Sequence, residues 1–436
     1  MGAREAALKA LLAFEKRDAW SDAFLNGLFR QETMPPREAA LCYRLTAGVL
    51  QNREAIDWYL RPYLHTSLQP AVRAILRCAV YQLAYMDRIP VSAAVNEAVD
   101  LAKRKANPAA ARLVNAVLRR LTAQPLPPLP AGDDAESLSI RYSHPTWLTD
   151  YYLRLLGPER TRRLLEADNR VPPTTLRVNR LKGDQAAALA ALEKEGAEAV
   201  PIPPLDGFLG LESRGGVSGL AAFQAGLVTV QDPAAALPVL ASGAEPGLRV
   251  LDACAAPGGK SFLLAQQMEN RGELVACDLH PAKLERIREG AARLGVVNLA
   301  TRQMDARTPP PDFRAAFDLV LADAPCSGLG VVRKKPEIRY KAPEALAALP
   351  DIQLAILNGL ADCVRPGGVL VYSTCTLLRE ENEAVTDAFL AAHPGFSREA
   401  LPLPHPFGIV ASGQLTVWPD EYETDGFYLC RMRKRT

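Results

Sequence analysis

Four prolines stand within the eleven residues QPLPPLPAGDD at 124–134. Each proline fixes its own φ and lacks a backbone donor, so neither a helix nor a sheet ladder can run through this segment. It is expected to act as a stiff spacer. At roughly 100–200 residues per domain, the 436 residues allow two to four domains. The boundaries read from pattern are 1–124, a linker at 125–137, a small region at 138–225, and 226–436.

Hydrophobic periodicity differs on the two sides of the spacer. Before it, apolar residues recur at three and four, as in Val72, Ile75, Leu76, Ala79, Val80, Leu83 and in Leu113, Val114, Val117, Leu118, Leu121. That period, with Pro35-Pro36 and Pro90 as punctuation, predicts an all-α bundle. The region 138–225 mixes a helix near 146–168, a strand at 174–180, a helix near 183–195 and short strands, an α/β subdomain. From 226 onward, apolar runs (LRVLDA, ELVACD, LATRQM, FDLVLADAP, GGVLVYST) alternate with helical stretches. Such alternation predicts a parallel, doubly wound, Rossmann-like α/β sheet. The tail QLTVWPDEYETDGFYLCRMRK reads as a terminal hairpin.

Charge is divided unevenly. Residues 1–125 carry 18 Lys+Arg against 11 Asp+Glu, and the rest 33 against 38. A basic helical arm on a mildly acidic module suits a polyanion partner. No apolar stretch reaches the roughly 18 residues of a membrane span. The start, MGAREAALKALLAFEKRDAW, mixes charges among its apolar positions, unlike a secretory segment, and Ala6 breaks the myristoylation pattern. A cytoplasmic location, no membrane partner and a monomer are expected. The eight cysteines form no C-x-x-C pair and the five histidines are isolated, so no metal site and free thiols are expected.

The cofactor signal lies where LRVLDA runs into CAAPGGKS at 254–261. Two glycines at a helix start let backbone approach a ligand. A phosphate-binding P-loop would need glycine at 254, which is Cys254, and the dinucleotide fingerprint G-x-G-x-x-G is absent. The remaining candidate is an S-adenosylmethionine pocket. Asp278 ends the next strand, twenty residues after Gly258, where a ribose-binding acid belongs. Asp305 follows the third strand, placed to reach an adenine amine, and Asp323 ends the fourth.

Two cysteines occupy the carboxyl ends of adjacent strands: Cys326 in ADAPCSGLG and Cys375 in VYSTCT. Methyl transfer to C5 of cytosine explains a need for thiols. C5 is not nucleophilic until a thiolate adds to C6, and thiolates both attack and leave. A protonated Asp323, its pKa raised by burial, is expected to support N3 during addition. Cys42, Cys78, Cys254, Cys277, Cys363 and Cys430 read as small buried hydrophobes. The chemistry alone does not say which of Cys326 and Cys375 attacks.

CAAPGGK, DAPCSGLG and STCT, spaced as here, resemble the RNA cytosine-C5 methyltransferase family. ILRCAVYQLAYMDRIPVSAAVNEAVDLAK and LVNAVLRRL in the helical arm resemble the antitermination factor NusB. The combination resembles the bacterial methyltransferases of 16S ribosomal RNA and covers essentially the whole chain. It implies that Cys375 is the nucleophile and that Cys326 assists product release, whereas DNA enzymes use the Pro-Cys thiol. It further implies S-adenosylmethionine contacts from Cys254, Ala255, Ala256, Pro257, Gly258, Gly259 and Lys260, and from Asp278, Asp305 and Asp323. Lys260 would hold the donor or order the loop. Arg177, Asn179, Gln231 and Asp232 also match family positions and are expected to shape the RNA-facing wall or the strand before the methyltransferase domain. Asp425, Gly426 and Phe427 are expected to close the pocket edge.

The run VVRKKPEIRYK at 331–341 follows Cys326 directly, and Arg333, Lys334, Lys335, Arg339 and Lys341 are expected to meet RNA phosphates. The target base must be unpaired or flipped, because stacking covers the ring face that the thiolate attacks. Two alternatives stand beside 16S ribosomal RNA methylation: the same chemistry on transfer RNA, and a non-catalytic RNA-binding or antitermination factor.

Overall fold

A computed structural model describes the chain except residues 18–23, 26, 30–33, 203–204 and 213–215. It forms two compact units: residues 1–170 with 332–341, and residues 171–331 with 342–436.

The first unit is helical. Its helices include α1 (Ala3–Arg17), α2 (Pro36–Gln51), α3 (Arg53–Leu60), α4 (Pro70–Tyr85), α5 (Val91–Lys105), α6 (Pro108–Thr122), α7 (Ala135–Tyr142) and α8 (Thr146–Asn169). The predicted three-four stripes are the buried faces: Val72, Ile75, Leu76 and Val80 of α4, and Val114, Val117, Leu118 and Leu121 of α6. Helix starts follow local rules. Asn107 accepts a hydrogen bond from the Ala110 N–H ahead of Pro108, and Asp134 accepts one from Ser137. Helix α8 bends where Gly157 takes φ 75°, directly before Pro158. The helix expected near 146–168 is thus present, but it packs with the N-terminal helices rather than with the strands that follow it.

The second unit holds two main sheets and a two-stranded antiparallel pair, Leu401–Pro402 with Ile409–Val410. The smaller main sheet is antiparallel, built from β1 (Thr174–Val178), β2 (Ala199–Pro201), β3 (Phe208–Leu211) and β4 (Val228–Val230) in the order β2-β3-β1-β4. Helix α9 (Gln185–Lys194) packs on it through Ala188 and Leu192.

The larger sheet has eight strands. Its parallel part runs β7 (Leu299–Gln303), β6 (Glu273–Asp278), β5 (Arg249–Asp252), β8 (Phe317–Asp323), β9 (Val364–Thr374). The antiparallel edge adds β10 (Phe396–Arg398), β11 (Gln414–Val417) and β12 (Phe427–Lys434), with β12 against β9. The expected hairpin is the β11–β12 pair, Gln414 opposite Cys430. Successive residues enter opposite cores, as a sheet covered on both faces requires. Val250, Leu319 and Val371 join one cluster, while Leu251, Val320 and Leu370 join the other. Strand order reverses between β5 and β8, which opens a crevice at their carboxyl ends.

Candidate active site

The turn from β5 into α10 (Gly259–Gln267) forms one wall of this crevice. Gly258 has φ 110°, and a Cβ there would stand 2.4 Å from the Phe262 ring, so only glycine fits. Behind the turn, buried Arg177 donates from Nη1 to Gln266 Oε1 (2.6 Å), from Nη2 to Gly259 O (3.4 Å), and from Nε to Gln231. Burial pushes its guanidinium down to about 9. Asn179 Nδ2 donates to Gly226 O (2.8 Å) and Leu294 O (2.7 Å). Arg177, Asn179 and Gln231 therefore buttress the glycine turn and its surroundings from inside the protein. They are not an RNA-facing surface.

A cavity of about 360 Å³ lies in front of the turn, lined by Cys254, Ala256, Asp278, Asp305, Asp323 and Pro325 among others. The acids at successive strand ends thus converge as expected. Asp278 Oδ1 accepts the His280 N–H at 2.9 Å, with Lys283 Nζ at 3.5 Å. Asp305 accepts from Arg307 Nη2 at 2.6 Å, and that bond lowers its pKa. The rest of the predicted loop supports this wall instead of lining it. Ala255 is buried and donates to Cys277 O at 2.7 Å, Pro257 is exposed, and Lys260 reaches elsewhere. The cavity size and the strand-end acids fit an adenosyl ligand bearing a cationic sulfonium.

Lys260 Nζ lies 2.6 Å from Asp323 Oδ2 and 4.8 Å from the centre of the Phe427 ring. Ser373 Oγ donates to the other Asp323 oxygen at 2.8 Å. Asp323 thus has a donor on each oxygen, one of them the Lys260 ammonium.

Cys326 Sγ and Cys375 Sγ are 3.4 Å apart, and both are partly exposed. The contact with Cys326 lowers the Cys375 thiol against burial and the Asp323 charge, which raise it, and Lys260 offsets part of that rise. The same contact, with burial, pushes Cys326 well up. Of the two thiols, Cys375 is therefore the readier to ionise. Of the remaining cysteines, 42, 78, 277, 363 and 430 are buried, whereas Cys254 is partly exposed on the cavity wall. Gly330 seals the loop. Its N–H donates to Cys375 O (2.9 Å), its carbonyl accepts from Gly426 (2.7 Å), and a Cβ would stand 2.2 Å from Gly426 O.

The basic run after Cys326 leaves this unit and packs in the first one. Arg339 is fully buried there, donating from Nη1 to Ser143 O (3.0 Å) and Asn169 Oδ1 (2.9 Å). Its assignment as a phosphate contact is therefore corrected, since a side chain that bonds inward cannot also meet solvent RNA. Lys335 is exposed, and Arg333, Lys334 and Lys341 are half-buried.

Ser373 was not among the predicted site residues. A signal for it existed, because residues two apart on a strand share a face, and Ser373 precedes Cys375 by two. Glu381, Asn382 and Gln353 carried no motif signal, and they sit directly behind the cysteine loops. Among the described residues, no cluster of three or more acidic, His or Cys side chains could hold a metal, and no helix is long and apolar enough to cross a membrane.

A switch-point crevice with a glycine turn, strand-end acids and a thiol pair defines a Rossmann-like methyltransferase. Residues 240–433 match the family described as 16S rRNA methyltransferase RsmB/F, residues 1–123 the NusB family, and residues 144–218 the ferredoxin-like domain of RsmF/B-like methyltransferases. The chain is 38% identical to the probable ribosomal RNA small subunit methyltransferase B of Bacillus subtilis, covering 99% of this chain and 98% of that one. It is 34% identical to the ribosomal RNA small subunit methyltransferase B of Klebsiella pneumoniae, over 93% and 92% of the two chains. The crystal structure of PH0851 superposes with a TM-score of 0.82 at 27% identity, over 99% and 98%. The chain belongs to the ribosomal RNA small subunit methyltransferase B family.

Proposed function

We propose that this enzyme methylates C5 of a cytosine in 16S ribosomal RNA through a covalent adduct on Cys375. The observation that carries the reading is the unequal thiol pair 3.4 Å apart, beside an Asp323–Lys260 pair and a cavity suited to an adenosyl donor. The names of the full-length relatives supply the RNA class.

Cys375, whose ionisation the contact with Cys326 and the Lys260 charge favour, adds to C6 as its thiolate and forms the S–C6 bond. The ring electrons displaced from the C5–C6 bond make C5 nucleophilic. Asp323 and Lys260 offer an acceptor and a donor side by side, the complement of cytosine's N4 amine and N3. Asp278 and Asp305, on the cavity wall, would hold S-adenosylmethionine, which would supply an electrophilic methyl group to that C5 and depart as S-adenosylhomocysteine. Once Cys375 is a thioether, its charge no longer opposes ionisation of Cys326. Cys326 then loses its proton to solvent and, as thiolate, takes the one on C5, and the S–C6 bond breaks to release Cys375 as thiolate. The helical NusB-family arm places the RNA.

The test is nucleoside mass spectrometry after incubating the protein and S-adenosylmethionine with protein-free 16S ribosomal RNA and, separately, transfer RNA. The expected result is 5-methylcytosine in the ribosomal RNA alone. Product only in transfer RNA reassigns the substrate, and product in neither rejects the reading.

A further inference from the structure

Two residues beyond the Thr-Cys motif reach back to both cysteine loops. Glu381 is 1% exposed. Its Oε2 accepts the Ser327 N–H at 2.9 Å and Gln353 Nε2 at 2.8 Å. Gln353 Nε2 also donates to Pro325 O at 3.0 Å. The residues on either side of Cys326 are thus tied to one buried carboxylate. Its second oxygen is buried and makes no hydrogen bond. The neighbouring Asn382 holds the other loop: its Oδ1 accepts from Thr374 Oγ1 at 2.6 Å and its Nδ2 donates to Thr376 O at 3.0 Å. The Ser327 and Thr376 hydroxyls, each one residue past a cysteine, complete the bridge at 2.6 Å.

We propose that Glu381 is a positioning residue for the cysteine pair, holding the Pro-Cys loop through the Ser327 N–H and, by its charge, keeping the shared proton on Cys326 so that Cys375 is the thiol free to attack. This rests on the thiol roles given above. Burying a carboxylate among neutral donors is costly unless it is well bonded. The site accepts that cost one residue from Cys326, where a negative charge opposes a second one. The Glu381 charge adds to the hydrogen bond and burial that push Cys326 up. Asn382, without charge, fixes the Cys375 loop and leaves its ionisation to Cys326 and Lys260.

Alkylation of the RNA-free protein with iodoacetamide across a pH series, read by peptide mass spectrometry, tests this. In the wild type Cys375 is modified first. Glu381→Gln keeps an acceptor for Ser327 but removes the charge, and the Cys375-to-Cys326 labelling ratio is expected to fall roughly tenfold, the ratio that one pKa unit represents. Glu381→Asp, which keeps the charge, retains the Cys375 preference. In a Cys326→Ala background, Glu381→Gln leaves the Cys375 rate unchanged, because the charge acts through Cys326. Calorimetric S-adenosylmethionine binding confirms that each variant is folded. An unchanged ratio in Glu381→Gln, or an equal loss of Cys375 labelling with and without Cys326, overturns the proposal. Because no RNA is present, the labelling decides it independently of whether cytosine is methylated.

Discussion

Arg339→Met distinguishes an internal anchor from an RNA contact. The guanidinium makes two well-formed bonds, to Ser143 O at 3.0 Å and Asn169 Oδ1 at 2.9 Å, and a weaker one to Asp168 O at 3.4 Å. A hydrogen bond from a charged donor contributes about 1.5 kcal/mol or more, so losing the two short ones costs about 3 kcal/mol. Methionine retains much of the alkyl stem and buries no charge, which offsets part of that. Burial indeed works against the charge, lowering the Arg339 pKa. A net loss of about 2–3 kcal/mol in a unit of this size lowers its melting temperature by roughly 5–10 °C. Scanning calorimetry reads the helical unit's transition, and S-adenosylmethionine affinity serves as a control because its cavity lies in the other unit. A melting temperature within about 1 °C of wild type, with the salt slope of RNA binding reduced by about one, would refute the anchor and restore the phosphate contact.

Three other changes have defined outcomes. Asp168 is fully buried in the first unit, and burial pushes its carboxyl up to about 7. Its folded pKa thus exceeds the unfolded value near 3.9, so its stabilising contribution is complete below about pH 4 and is lost as pH rises to about 7, on the order of 4 kcal/mol. Asp168→Asn removes that slope from urea midpoints measured between pH 4 and pH 8, and an unchanged slope contradicts the assignment. Lys260→Met removes the cation that lowers Cys375 and leaves Asp323 without its ion-pair partner. The pH profile of Cys375 alkylation then moves to higher pH, with labelling near neutrality slowed roughly tenfold, and an unmoved profile excludes the electrostatic role. Asp278→Ala removes a carboxylate from the cavity wall, so S-adenosylmethionine affinity by calorimetry falls by roughly 10–100-fold, the equivalent of one or two charge-assisted hydrogen bonds. Wild-type affinity would place the ribose elsewhere.

What the sequence disclosed follows the range of the interactions involved. Period-two and period-3.6 patterns are local, so the strands at 249–252, 273–278 and 317–323 and the stripe of α4 were legible. So was the convergence of strand-end groups, because a parallel sheet places all its carboxyl ends on one edge. The partner of each charged group was not. Lys260 meets Asp323 63 residues away, and Glu381 meets Ser327 54 residues away. Asp323 could therefore be placed at the site, but its pairing, and hence its role, could not. Arg339 shows the same limit: within RKKPEIRYK a buried guanidinium and a solvated one have the same spelling, and only the carbonyl of Ser143 and the amide of Asn169 separate them. Helix α8 was legible as a helix but not its packing partner, which depends on contacts with distant segments.

The most direct measurement is to trap and map the covalent adduct. Cys326→Ala protein is incubated with S-adenosylmethionine and a 16S ribosomal RNA transcript, digested with nuclease and protease, and analysed by mass spectrometry. A methylated cytosine nucleotide carried on the Cys375 peptide is the predicted result, with no such species from Cys375→Ser. Cross-linked nucleotide on any other peptide, or continued 5-methylcytosine formation by Cys375→Ser, would contradict it.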